Sequence, residues 1–184
     1  MKIIIIVLLI LSVFSVFSAP TFYEAYMEHR VLKAARVVAD DMISARRYSI
    51  QSGKDYGVMF AKDKEQGYYV FLDNNSDGTF DQGDTVIKSV NLKNINSHIK
   101  FSNLFDSKGV VFRNNTVVFS GSGKTPSVEP SHDSVFIVNE RDDRKGITDK
   151  IVRIYVNKDT NEIRILRVTD KTDAGDLVFG EIKS

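Results

Sequence analysis

The chain has 184 residues, a length typical of one domain with a short extension. Its 25 basic and 24 acidic side chains leave a formal charge of +1, which argues against a strongly basic nucleic-acid binder or an acidic tail protein. Cysteine is absent, which excludes a disulfide framework, a thiolate nucleophile and a zinc–thiolate or iron–sulfur centre.

The first predicted element is the apolar run Ile3–Ala19, which only serines interrupt. In helical geometry its roughly 17 residues extend about 26 Å, close to the thickness of a bilayer's hydrocarbon core. Three interpretations compete: a cleaved secretory signal, a plain membrane anchor, and a helix that lies first in a membrane and later against copies of itself. A cut near Ser18 would indicate the signal peptide, but Pro20 directly after Ala19 disfavours cleavage there.

The residues from Tyr23 to Ser52 predict an amphipathic helix that continues the apolar run through Pro20. This segment is rich in good helix formers. Residues spaced by three and four positions form one apolar stripe, namely Val31, Ala35, Val38, Met42 and Ala45. Gly53 stands where a left-handed cap would end the helix. We therefore predict a single stem helix of about 50 residues and about 75 Å, in which Pro20 allows a kink.

From Asp55 onward, short β-type runs alternate with turn residues, which predicts an antiparallel β domain. The predicted strands are Tyr56–Ala61, Tyr68–Leu72, Thr85–Val90, His98–Phe101, Val110–Phe112, Thr116–Ser120, Ser134–Val138, Lys150–Val156, Glu162–Val168 and Asp176–Ile182. Asn114-Asn115 and Asn157–Asn161 are predicted hairpin turns. Gly121–Pro130 and Asn139–Gly146 are predicted loops.

Four stretches, in the same order, resemble the GspH/FimT-type minor pseudopilins of the type IV pilin family. LKAARVVADDMISARRYSIQSGKDYGVMF (Leu32–Phe60) is similar to the family's helix that runs into a first strand. VFLDNNSDGTFDQGDTVI (Val70–Ile87) is similar to the following hairpin, and GVVFRNNTVVFSGSG (Gly109–Gly123) to a third strand pair. With the terminal hairpin around Lys150–Val168, the resemblance covers nearly the whole chain.

This resemblance implies a pilin-like α+β fold, with a hydrophobic membrane or filament-core helix segment at 1–23, an amphipathic helix at 24–53 and a globular antiparallel β domain at 54–184. It implies a structural subunit, not an enzyme, that assembles into or at the tip of a type IV pilus or a type II secretion pseudopilus. The apolar positions assigned to membrane and filament core are Ile3, Ile6, Leu9, Val13, Phe17 and Pro20.

The partners implied by the resemblance are other pilins or pseudopilins, which the N-terminal helix would contact, the bacterial inner membrane and the assembly machinery. The helix would cross the inner membrane once, with the globular domain in the periplasm, or outside the cell in an assembled pilus. Family members begin with a short basic leader, a Gly, then Phe-Thr-Leu and an early Glu, whereas this chain begins Met-Lys-Ile at about that point. We assign no processing site and expect either a start further upstream or a degenerate member.

The strongest candidate ligand site is the segment Asp73–Asp84, whose residues have the spacing of a calcium-binding loop. Oxygen-bearing residues fall at alternate positions, with Gly78 at the sixth position and an acid at the twelfth. The predicted ligands are Asp73, Asn75, Asp77, the Thr79 carbonyl, Asp81 through a water, and Asp84. Strands flank the segment, so it is not an EF-hand, and aspartate in the last position predicts weak binding. The alternative is a hairpin loop of residues that favour turns and hold no metal.

A basic group near the C-terminal strands, Arg164, Arg167 and Lys171, is a candidate contact for DNA phosphates. Acidic neighbours weaken the local field there, and the alternative is a solvated strand face. A DNA-capture pilin would bind DNA in a salt-sensitive way. A secreted or membrane-tethered calcium-dependent binding module is the other alternative function.

No catalytic residue is predicted. Ser120, His132 and Asp133 lie outside any nucleophile elbow or base-positioning pattern. Calcium is the candidate cofactor, and the sequence favours a protein that works by packing and binding.

Overall fold

One long helix, α1 (Lys2–Ser52), packs on two antiparallel sheets, which gives an α+β fold. The computed structural model describes residues 2–61, 66–104, 109–125, 133–172 and 177–182. Within α1 the side chains are described at Ile4 and from Phe22 onward.

The second half of α1 buries one face, as its sequence predicts. The predicted stripe is confirmed, and it is extended by Met27, Ala34 and Ala39, which are also buried. Gly53 has φ +68° and donates its N–H to the Ser49 carbonyl at 2.9 Å, which confirms the left-handed cap. The backbone of α1 continues through Pro20.

Nine strands form the two sheets among the described residues. They are β1 (Asp55–Ala61), β2 (Gly67–Asp73), β3 (Thr85–Asn91), β4 (Ile99–Phe101), β5 (Thr116–Phe119), β6 (Ser134–Asn139), β7 (Val152–Val156), β8 (Ile163–Lys171) and β9 (Leu177–Glu181). The first sheet has the order β3-β2-β1-β5 and the second β4-β6-β7-β8-β9. Two short helices, α2 (Leu92–Ile95) and α3 (Glu140–Arg144), lie between strands.

The larger of the two hydrophobic core clusters among the described residues joins α1 to both sheets. Phe60 of the first sheet meets Phe101 of the second edge to face, with ring centroids 5.8 Å apart. The same ring stacks on Phe112 at 5.7 Å. Val31 and Ala45 of α1 belong to this core, so the helix fills the space that the two sheets leave between them.

The predicted strand Val110–Phe112 is wrong, and so is the hairpin through Asn114-Asn115. Val110 makes one isolated bridge, to Val135 of the second sheet, whereas β5 pairs with β1 of the first sheet. A 3₁₀ turn at 113–115, with φ +53° and +55° at the two asparagines, carries the chain between the sheets. The other predicted strands are confirmed, with ends that differ by at most three residues.

The predicted loop Asn139–Gly146 instead begins with helix α3. Asn139 caps this helix, because its side chain accepts the N–H of Arg141 at 3.1 Å. The turn Asn157–Asn161 closes the β7–β8 hairpin as predicted, with Asn161 at φ +55°.

A buried polar contact attaches α1 to the first sheet. The Asp41 carboxylate accepts the hydroxyl of Tyr68 at 2.6 Å and the ammonium of Lys88 at 2.7 and 2.8 Å. Burial, and then the hydrogen bond to Asp41 and its negative charge, raises the pKa of Tyr68 above its ordinary value.

Two surface ion pairs attach the same helix to the second sheet. Lys150 pairs with Glu24 at 3.2 Å, and Arg167 of β8 pairs with Glu28. Both pairs are partly exposed to solvent.

Candidate functional site

The segment Asp73–Asp84 joins β2 to β3, and its first residue is buried. Asp73, the last residue of β2, is 3% exposed. Its Oδ2 atom accepts the N–H of Gly78 at 2.9 Å. Its Oδ1 atom is also buried and has no hydrogen-bond partner among the described residues.

Three polar side chains meet in the middle of this segment. The amide nitrogen of Asn75 donates to Asp77 Oδ2 at 2.9 Å and to Asp81 Oδ2 at 3.2 Å. Asp77 Oδ1 accepts the hydroxyl of Thr79 at 2.7 Å and its N–H at 2.8 Å. These hydrogen bonds from Thr79, with a smaller one from Asn75, hold the pKa of Asp77 below its usual value. Asp77 is therefore ionised at neutral pH.

Asp84 closes the segment, and Phe80 fixes it on the sheet. The two carboxylate oxygens of Asp84 accept the N–H groups of Asn74 and Asp81, each at 3.0 Å. The Phe80 ring stacks on Tyr69 at 5.9 Å and meets Phe71 edge to face at 5.0 Å. A loop pinned at its middle and ends has little conformational freedom left to lose on binding.

The sequence analysis did not predict that Phe80 fixes this loop on the sheet. A lone aromatic residue within a polar run could have indicated such packing. The structure places all the predicted calcium ligands in this one loop. Among the residues that it describes, no three histidine, aspartate or glutamate side chains are close enough together to hold one metal ion. Calcium binding stays a prediction.

The basic residues of β8 do not form one patch. Arg164 pairs with Glu162 at 2.5 Å and Glu181 at 2.8 Å, whereas Arg167 pairs with Glu28 of α1. Successive residues of a strand face opposite sides of its sheet, and the two arginines are three positions apart. They therefore lie on opposite faces of the sheet. Binding of DNA by Arg164, Arg167 and Lys171 stays a prediction, and phosphate contact would have to displace carboxylates from both arginines.

Two adjoining cavities of about 230 and 270 Å³ lie between α1 and the β8–β9 edge of the second sheet. They share Leu32 and Ile182, and their other lining residues include Glu28, His29, Arg36, Lys150, Arg164 and Glu181. Most of these charged side chains already pair with a lining residue or with a neighbouring acid.

Of the residues that could suggest a catalytic triad, Ser120 and Asp133 contact other side chains. The Ser120 hydroxyl hydrogen bonds with that of Ser122 at 2.7 Å. Asp133 instead pairs with Arg153 at 3.0 Å and accepts the Ser134 hydroxyl. His132 lies outside the described residues.

The predicted membrane and filament-core positions fall on the first half of α1. Their backbone is helical, and the side chains of Ile3, Ile6, Leu9, Val13, Phe17 and Pro20 lie outside those that the structure describes. Within the described part of the chain, no helix combines the length and the apolar character needed to cross a membrane.

The fold defines a class, an α+β protein whose N-terminal helix packs on antiparallel sheets. The chain matches no protein-family model, no curated protein and no solved structure. The function is therefore inferred from the chain's own residues and their geometry.

Proposed function

We propose that this protein is a structural subunit of the type IV pilin kind, a minor pilin or pseudopilin. It assembles into, or at the tip of, a type IV pilus or a type II secretion pseudopilus. The observation that carries the proposal is the continuity of α1 from Lys2 to Ser52. One helix of about 75 Å thus joins the apolar N-terminal sequence to the stripe that holds the β domain.

The packing of α1 supports a role in which the β domain is carried by its helix. The stripe from Val31 to Ala45 enters the same core as both sheets, so the domain cannot swing freely about the helix. A subunit of this shape holds its apolar half in the membrane, and then in the centre of the filament, while the β domain faces outward.

Exposed aromatic residues on α1 directly follow the apolar run. Phe22 is 74% exposed, and Tyr23 and Tyr26 are 43% and 49% exposed. Tyrosine is enriched where a membrane helix leaves the hydrocarbon for the headgroup region. These residues begin two positions after Pro20, just beyond the apolar run Ile3–Ala19, which favours an anchored helix over a secreted domain.

The test places a charge in the apolar half. Leu9→Asp costs about 3 kcal/mol at the centre of a membrane helix and would leave an unpaired charge in a dry filament core. In a deletion strain we expect Leu9→Asp to abolish pilus formation, protein export or DNA uptake, whichever trait the deletion removes. Leu9→Ile keeps the apolar character and should restore that trait fully.

Two results would contradict the proposal. One is that Leu9→Asp fully restores the trait lost in the deletion strain, while Ser120→Ala, a change outside α1, does not restore it. The other is an intact mass showing that the working protein is a soluble chain beginning near Ala19. Circular dichroism of the purified Leu9→Asp protein checks that the β domain still folds.

A further inference from the structure

Helix α3 and its C-terminal cap separate their charges by burial. Asp142 and Asp143 are buried, each 8% exposed, whereas Arg141, Arg144 and Lys145 are exposed. These three basic residues are three and four positions apart, a spacing that places side chains next to one another on one side of a helix. Like charges at that spacing repel. The three residues, named here the α3 basic face, therefore form a surface that an anion would stabilise.

No ion pair neutralises the α3 basic face within the part of the chain that the structure describes. Asp143 pairs with Lys100 at 2.8 Å, on the other side of α3. Glu140, Asp142 and Asp149 are close in sequence, but none of them forms an ion pair with a basic residue of this face. The three cations are thus available to a partner.

The α3 basic face lies beside the first turns of α1 that follow the apolar run. The guanidinium of Arg141 lies over the Tyr23 ring, 5.8 Å from its centroid. Tyr23 and Met27 of α1 line one small cleft together with Arg141 and Lys145. Tyr23 is four positions beyond Ala19, a distance of about 6 Å along a helix axis.

That distance corresponds to the headgroup layer of a bilayer. A hydrocarbon core is about 30 Å thick, and the headgroups bring the total to about 40–45 Å, so each headgroup layer is about 5–8 Å deep. Tyrosine is also enriched at this depth. When the apolar run occupies the hydrocarbon, the α3 basic face is therefore at the level of the lipid phosphates.

We propose that the α3 basic face binds the phosphates of anionic phospholipids in the membrane that holds α1, an inference that rests on the proposed function. Arg141 and Arg144 each offer a planar fork of donors that matches phosphate oxygens, and Lys145 adds a point charge. Stacking on Tyr23 holds the Arg141 fork in place. Because α1 shares one core with both sheets, this contact holds the β domain against the membrane surface before assembly.

The experiment uses the full chain with one fluorescent reporter. The sequence contains no tryptophan, so Tyr23→Trp supplies a single reporter that can still stack under Arg141. The protein is reconstituted into vesicles of phosphatidylcholine and phosphatidylglycerol, one of which is brominated near the headgroup end of its acyl chains. Bromine quenches tryptophan on contact, so the quenching by each lipid gives its relative affinity. We expect phosphatidylglycerol to bind about fivefold more tightly or better, the factor that one basic residue contributes at an anionic surface.

Charge-removing variants show whether the α3 basic face causes this preference. The triple variant Arg141→Gln, Arg144→Gln and Lys145→Gln changes only exposed side chains and should make the two affinities about equal. Circular dichroism checks that it still folds. A triple variant that keeps the lipid preference overturns the proposal. If that variant also fails to complement the deletion strain, the surface binds an acidic protein instead.

The matched control removes the same number of charges at the other end of the domain. Lys54→Gln, Lys124→Gln and Lys158→Gln alter exposed side chains near the end of α1, where Gly123 lies against Ile50, and should keep the preference. Loss of the preference in this control overturns the proposal, since net charge alone would then explain it. Equal quenching by the two lipids in the reporter protein overturns this proposal and leaves the anchored helix standing. No quenching by either lipid overturns both.

Discussion

Helix α1 is attached to its two sheets by chemically different contacts. On the first sheet, the largely buried Asp41 carboxylate receives a tyrosine hydroxyl and a lysine ammonium. On the second sheet, Glu24 and Glu28 form ion pairs that solvent reaches. A buried charge must keep its partners, whereas an exposed pair exchanges them for water at little cost. Of these two polar attachments to α1, the buried one on the first sheet is therefore expected to contribute more to stability.

The largest expected effect comes from removing the buried carboxylate. Asp41→Ala leaves the Tyr68 hydroxyl buried without an acceptor, and we expect the free energy of unfolding to fall by about 2–3 kcal/mol. Urea denaturation measures this loss. Asp40→Ala, which removes an exposed acid one position earlier, is the matched control and should change stability by less than about 0.5 kcal/mol. Equal losses in the two variants would show that the Asp41 contact contributes nothing specific.

A smaller effect is expected from the other side of the same contact. Tyr68→Phe removes the hydroxyl but leaves Asp41 paired with Lys88, so we expect a loss of about 1 kcal/mol. In the Asp41→Ala background the hydroxyl has no acceptor, and Tyr68→Phe should then be neutral or stabilising. A double-mutant cycle measured by urea denaturation gives the coupling energy. Additive losses would show that the two side chains do not interact.

The smallest effect is expected on the second sheet. Glu28→Ala breaks the ion pair with Arg167, in which the Glu28 side chain is 39% exposed and the Arg167 side chain 42%. The free energy of unfolding should fall by about 0–1 kcal/mol. That cost should shrink further in high salt, while the cost of Asp41→Ala should change little. A loss for Glu28→Ala as large as that for Asp41→Ala would remove the distinction between the two attachments.

Local patterns in the sequence predicted much of this fold. The three- and four-residue spacing of Val31 to Ala45 predicted the buried face of α1, and Gly53 predicted its end. Strand alternation located most strands, but it carries no information on which sheet a strand joins. Val110 was therefore paired with the wrong neighbour, because its true partner, Val135, lies beyond another strand in sequence.

The candidate site shows the same limit. Spacing alone located the loop and its oxygen-bearing residues, since those are local properties. The burial of Asp73 Oδ1 depends on how the loop folds back, and Phe80 reaches Phe71 only because β1 places a glycine opposite that ring. The Asp41 contact likewise could not be predicted from local sequence patterns, because its partners lie 27 and 47 residues away in the chain.

The shared core has a consequence for the order in which the protein folds. Val31 and Ala45 leave the ribosome early, whereas Val152 and Ile154, which belong to the same core, follow more than 100 residues later. At synthesis rates of about 5–20 residues per second, the apolar stripe of α1 is complete about 5–25 s before its last partners are made. During that interval its apolar face is open to chaperones or to other chains. Contacts so distant in sequence also predict slow folding after synthesis is complete.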